Sequence, residues 1–168
     1  MHTLYLLRHA KSSWSDPTLS DHDRPLAPRG QRDAKRIAKH LVRAGIEPGL
    51  VLCSTAVRAR ETLELVQTGL GAATKVSFET ELYAVSCREL LERIHTVPEE
   101  VTSLMLIGHN PGLHDLARAL TSTGLELDRL RAKFPTAALA TLALPTSWRL
   151  VSEADALLAA YVVPKQLG

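Results

Sequence analysis

The chain reads as an α/β protein, a three-layer sandwich with a mostly parallel central sheet, helices on both faces and an antiparallel C-terminal edge. Short continuous apolar runs carry the first half of that reading: Leu4–Leu7, Leu50–Cys53 and Leu104–Ile107. Strands buried on both faces have this character. Stretches of helical period separate the runs, and a β-α-β-α order implies parallel strands with covered faces. Beyond Gly124 the alternation stops, and two apolar stretches spaced like a hairpin follow. With 168 residues and no repeat, low-complexity tract or linker, one domain spanning 1–168 is expected.

Each element has its own local reason. After the first run, Ala34, Ile37, Ala38, Leu41 and Val42 line one face of a helix, with Pro28 in its first turn and Gly45 at its end. Ala56, Ala59, Leu63, Val66 and Leu70 mark a second helix, stopped near Gly69 and Gly71. A third opens on a capping box, Ser86 and Glu89, ahead of Leu90, Leu91 and Ile94. After Ile107 come Gly108, His109, Asn110 and Pro111, with Asn110 expected as N-cap and Pro111 as the first helical residue. A polar, Arg-rich segment then leads to Pro135-Thr136. The expected hairpin pairs Ala137–Leu144 with a short run near Trp148–Val151.

Composition narrows the function classes. Hydrophobic residues at 45% and charged ones at 23% are ordinary globular usage, which argues against disorder. The formal net charge is +2, which disfavours nucleic acid and membrane surfaces as partners. Of the 20 cations, 14 are Arg, the residue that grips phosphate or carboxylate in a fixed plane, although GC-rich coding gives the same bias. Cys53 and Cys87 make no disulfide framework, and the apolar run at the N-terminus is too short for a signal segment. A reduced, soluble, cytoplasmic protein is the expectation, with a monomer favoured.

Ligands of open α/β sheets bind beyond the carboxyl ends of the strands, where helix N-termini also point. The first apolar run ends in Arg8-His9, the second in Cys53-Ser54 followed by Arg58, and a later one in Gly108-His109-Asn110. Two histidines and two arginines therefore converge on one edge from three parts of the chain. Any one of them alone reads better as a hydrogen-bonded surface residue; their coincidence at corresponding positions makes the case.

Arg8-His9-Ala10 resembles the Arg-His-Gly motif of the histidine phosphatase superfamily, which includes the cofactor-dependent phosphoglycerate mutases. Asp23-Arg24-Pro25-Leu26 with Gly30, Ser54 to Thr62, Gly108 to Gly112, and Lys133 to Ala137 are similar to further family segments, in order. The short chain most resembles the small SixA-like phosphohistidine phosphatases. That resemblance implies a phosphoglycerate mutase-like fold and assigns roles. His9 would be the nucleophile, forming a transient phosphohistidine that water hydrolyses; a neutral imidazole needs no separate base. Arg8 and Arg58 would bracket the phosphoryl oxygens, with Arg24 as a third arm. His109 would donate to a phosphoryl oxygen. Ser15 stands where mutase-like relatives carry a phosphate-contacting Asn, and its hydroxyl either substitutes weakly or caps the next turn. No metal and no cofactor are implied. The partner would be a phosphorylated protein carrying phosphohistidine, or a small phosphorylated metabolite.

The chain departs from the mutases at one position. Aligned on Leu82, their general-acid Glu becomes Ala84, and Glu81 lies three residues away. An alkoxide leaves poorly without a proton, whereas imidazole leaves once its ring is protonated, so the missing acid suits a P–N substrate. Small-molecule phosphomonoester hydrolysis and non-catalytic binding of phosphate or a phosphoprotein are the competing readings. Cys53 and Arg58 enclose four residues, one short of the cysteine-phosphatase loop, so Cys53 is expected to be a buried hydrophobe. His22 and His95 are expected at the surface, His114 at the surface or behind the site, Lys11 in solvent, and Trp14 in packing or at the cleft mouth.

Overall fold

The computed structural model describes Met1–Gly168, arranged around one seven-stranded sheet. Its strands are β1 (His2–Arg8), β2 (Leu50–Ser54), β3 (Lys75–Glu79), β4 (Ser103–Gly108), β5 (Thr121–Thr123), β6 (Leu139–Leu144) and β7 (Ala156–Val162). They lie in the order β3-β2-β4-β1-β6-β7-β5. β1 to β4 pair in parallel, and β6 runs antiparallel to both β1 and β7. The short β5 pairs in parallel with β7.

Side-chain alternation along the strands creates the layers. Leu4, Leu6, Leu52, Leu104 and Leu106 share one face with Leu90 and Ile94 of α3 (Cys87–His95) and Leu113 and Leu116 of α4 (Gly112–Leu120). Leu7, Val51, Cys53, Met105 and Ile107 face the other way. They pack on Ile37 and Leu41 of α1 (Pro28–Arg43) and Leu63 and Val66 of α2 (Val57–Val66). A doubly covered sheet explains why these strands have no polar face. The helix ends follow their signals: α1 starts at Pro28 and ends before Gly45, whose φ of 65° is the left-handed value that glycine tolerates. Ser86 Oγ accepts the Glu89 N–H at 3.2 Å ahead of α3. No helix is long and apolar enough to cross a membrane.

Five features differ from the sequence reading. Trp148–Leu150 is a 3-10 turn, because the wholly buried indole donates to the Val101 carbonyl at 2.6 Å and pulls the chain out of the sheet. The strand that completes the hairpin is instead β7, whose burial alternates between its two faces. The Arg-rich segment forms α5 (Leu127–Ala132). Asn110 does not cap α4, since its amide donates to the Phe134 carbonyl at 2.8 Å while the His109 carbonyl accepts the Leu113 N–H. β3, the outer strand, was marked by no apolar run, and Lys75 and Phe78 on it are exposed.

Two glycines bring backbone together behind the strand ends. A Cβ at Gly30 would stand 2.1 Å from the Lys11 carbonyl oxygen, and one at Gly112 would stand 2.3 Å from that of Val85. Both contacts press a helix N-terminus onto a loop at the carboxyl edge of the sheet.

Candidate active site

β1 and β4 end side by side, with Arg8 paired to Gly108 and the His9 N–H donating to the Gly108 carbonyl at 3.0 Å. This places His9 and His109 together, with ring centroids 5.0 Å apart. The His9 ring is buried, and its Nδ1 lies 2.7 Å from the Ala10 carbonyl oxygen. A carbonyl only accepts, so Nδ1 carries the proton and Nε2 presents a lone pair. Burial, together with the positive surroundings of His109, Arg58 and Arg8, pushes the His9 pKa down to about 3. His109 is pushed down to about 4 by burial and by Arg58. Both rings are neutral at pH 7.

The N–H of the same Ala10 donates to Thr62 Oγ1 at 3.0 Å, and Thr62 Oγ1 donates to the Arg58 carbonyl at 2.6 Å. One hydroxyl thus ties the loop beyond β1 to the first turn of α2. On the opposite side the Ala137 N–H is shared by the carbonyls of Arg8 and His9, at 3.1 and 3.0 Å. Ala137 adopts a φ of 60°, uncommon for a residue with a Cβ, and so holds the strand end at a local cost of about 1–2 kcal/mol.

The guanidinium groups of Arg8 and Arg58 act on both rings, and Arg24 joins Arg58 through Asp21. Arg8 Nη1 donates to the Phe134 carbonyl at 3.2 Å, and burial followed by the Arg58 charge lowers its pKa. Arg58 is buried and reaches Asp21, with Nη1 on its carbonyl at 2.7 Å and Nη2 on its Oδ2 at 3.0 Å. Arg24, also buried, places Nη1 on Asp21 Oδ1 at 2.9 Å, Nε on the Ser13 carbonyl at 3.1 Å and Nη2 on the Ser12 hydroxyl. Its guanidinium stacks 3.2 Å above the exposed Trp14 ring. Two arms are therefore aligned by one carboxylate. The Tyr83 hydroxyl donates to Asp21 Oδ2 at 2.6 Å, and this bond, followed by the two guanidinium groups, holds the Asp21 carboxyl well below its usual range.

Some buried polar atoms of these side chains have no protein partner. Arg8 Nε and His109 Nδ1 are both buried and unpartnered. Such atoms are rare, because each costs about 1–3 kcal/mol unless something binds it. His109 Nε2 lies 2.7 Å from Ser54 Oγ, which accepts the Ala56 N–H at 3.2 Å. With the Ser54 hydroxyl proton turned to Nε2, His109 carries its own proton on Nδ1, the atom that lacks a partner. The donors together can hold a compact oxyanion against His9 Nε2. No group of three His, Cys, Asp or Glu side chains is placed to hold a metal ion.

The structure brings Arg8, His9, Arg24, Arg58 and His109 to one edge. Ser15 sits apart: it is exposed, and its hydroxyl pairs with that of Ser13 at 2.8 Å. Glu81 is exposed and its charge acts on Arg93, while Ala84 turns outward at a φ of 55°. Cys53 is buried with its thiol pushed up to about 12 by burial. His22 is no simple surface residue: its Nε2 meets Thr55 Oγ1 at 3.1 Å and its ring packs edge-on against Tyr83. His114 lies behind the site, with Nε2 2.6 Å from the Leu130 carbonyl oxygen. Sequence reasoning missed Asp21, Tyr83, Ser54 and Thr62; of these, only Ser54 and Thr62 lie in a segment the motifs had marked.

The family model of the histidine phosphatase superfamily (branch 1) matches residues 4–101. The Mycobacterium tuberculosis protein Rv1276c is 39% identical over 95% of this chain and 100% of its own. A structure from Nakamurella multipartitia, assigned as the phosphohistidine phosphatase SixA, superposes with a TM-score of 0.82 at 30% identity, covering 97% of this chain and 96% of that one. An Agrobacterium tumefaciens protein assigned likewise gives 0.82 at 31% identity, covering 97% and 98%. The chain belongs to the histidine phosphatase superfamily. Within it the chain is SixA-like, with the phosphoglycerate mutase-like fold.

Proposed function

We propose that the chain is a phosphatase that takes a phosphoryl group from phosphohistidine in a protein substrate and carries it transiently on His9. In the first step the His9 Nε2 lone pair attacks phosphorus. The P–N bond to the substrate breaks, and the substrate imidazole departs as a neutral ring once its second nitrogen is protonated. Water then attacks the phosphorus on His9, releasing inorganic phosphate and restoring the neutral ring. Arg8, Arg58 and Arg24 hold the spread negative charge of the loose transition state, and His109 Nδ1 donates to one oxygen. The observation that carries the reading is the His9 tautomer: the Ala10 carbonyl fixes the proton on Nδ1 and leaves Nε2 as a nucleophile.

The substrate class rests on leaving-group chemistry. No carboxylic acid lines the site in a protonated state, since Asp21 is held ionised by Tyr83 and the arginines and Glu81 lies outside. Alcohol leaving groups need such a proton donor in the site; imidazole takes its proton from solvent on the ring nitrogen away from phosphorus. Turnover of a phosphohistidine protein should therefore exceed turnover of alkyl phosphates by orders of magnitude in kcat/KM, and His9→Ala should abolish both. Preference for alkyl phosphates would overturn the substrate assignment.

A further inference from the structure

A second concave surface lies beside the candidate active site. It is a cavity of about 780 Å³ walled by Arg29, Arg32, Arg36, Arg129, Lys133 and Lys165, with Asp33 as its single carboxylate. Six cations against one acid give it a formal charge of +5, whereas the whole chain carries +2. The rest of the molecule is net acidic, so this charge is segregated and is not a by-product of Arg-rich composition. Few ion pairs quench it. Asp33 takes up Arg36 at 2.8 Å and Arg29 at 3.8 Å, Arg129 pairs with Glu126, and Arg32, Lys133 and Lys165 pair with no acid.

Topology puts this cavity on the same edge as His9. β6 runs antiparallel to β1 with Leu139 opposite Leu7, so residues 133–138 lie at the carboxyl end of β1. β7 ends with Val162 opposite Leu139, and Lys165 continues past that edge. The segment between the two sites is shared: Phe134 holds Arg8 through its carbonyl, while Lys133, Pro135 and Thr136 line the cavity. β7 is two strands from β1, about 10 Å at the usual strand spacing. An extended chain covers that distance in about three residues.

We propose that this basic trough docks an acidic segment of the same phosphorylated protein whose phosphohistidine enters the candidate active site. The proposal rests on the phosphohistidine reading above. Its charges are distributed along the trough and do not converge on a point: Arg29, Arg32 and Arg36 recur along one face of α1 over about 10 Å. Arg29 and Arg36 remain 64% and 42% exposed, which suits a solvated chain better than a compact anion. The only aromatic residue in the wall, Tyr161, is buried, so bases have no exposed ring to stack on and single-stranded nucleic acid is disfavoured. Complementary charge of this kind raises association rate and specificity and weakens with salt.

The test is a triple reversal, Arg29→Glu, Arg32→Glu and Lys165→Glu, none of which touches the residues around His9. Two readouts are needed. Binding of a fluorescent octaglutamate peptide, followed by anisotropy, should weaken at least about tenfold in the variant and with rising salt in the wild type. Turnover of a phosphohistidine protein with an acidic flank should lose about tenfold in kcat/KM, through KM, while turnover of free phosphohistidine stays unchanged. Equal losses on both substrates, or unchanged peptide binding, would overturn the docking proposal. Tighter, reversal-sensitive binding of tripolyphosphate or of an oligonucleotide would overturn it too, by naming a different occupant. A wild type that turns over neither substrate yet binds the peptide would refute the phosphatase reading alone.

Discussion

Lowering the pH from 7 to 5 should destabilise the protein by an amount that the two buried imidazoles set. An imidazole in the unfolded chain titrates near 6.5, whereas folding pushes His9 down to about 3 and His109 to about 4. Between those values and 6.5 the unfolded chain binds protons that the native site refuses. Stability is therefore complete above pH 6.5 and declines as pH falls toward the native values. At pH 5 each ring lies 1.5 pH units below its unfolded pKa, which is about 2 kcal/mol per ring, or about 4 kcal/mol for the pair. Asp21, held ionised, loses its contribution only below the unfolded carboxylate range and so stays outside this window. His40, which burial also lowers, acts equally in the wild type and in site variants. Beyond the share His40 adds to every protein, urea denaturation at pH 7 and 5 should show this loss in the wild type, about half of it in His9→Gln, and none of it in the His9→Gln, His109→Gln double variant. An unchanged pH difference in the double variant would refute the reasoning, as would a ring midpoint near 6.5 by NMR titration.

Other predictions concern single contacts. Arg58→Lys removes the planar fork that Asp21 aligns and should lower kcat/KM about a hundredfold, measured on the phosphohistidine protein. Thr62→Val keeps the shape but leaves the Ala10 N–H without its acceptor; a loss of about 1–3 kcal/mol in urea denaturation is expected. Iodoacetamide at neutral pH should spare activity, since Cys53 is buried with its thiol pushed up to about 12. A chelator should leave the rate unchanged, because three arginines and a histidine supply the charge stabilisation in this account.

What the sequence discloses depends on how each element is covered. β1, β2 and β4 lie between two helical layers, so continuous apolar runs betray them. β3 has a neighbour on one side only and carries exposed Lys75 and Phe78, which leaves no run to find. Trp148 looks like a strand residue by composition, yet its segment is a turn with the indole buried and bonded to the Val101 carbonyl. The site divides in the same way. Arg8, His9, Arg58 and His109 follow strand ends and are visible by position. Asp21 and Tyr83 come from irregular segments 62 residues apart, and only tertiary packing joins them over the arginines. Ser15 shows the converse: it occupies a matching position, but it is exposed and its hydroxyl pairs with that of Ser13.

The central claim is that phosphate passes through His9 Nε2. Rapid quenching of the wild type with a phosphohistidine protein, followed by mass spectrometry at alkaline pH, tests it directly. A phosphoryl group on His9 that is stable to alkali and labile to acid is expected, with no such label in His9→Ala. Full turnover with the label on another residue, or undiminished turnover in His9→Ala, would contradict it.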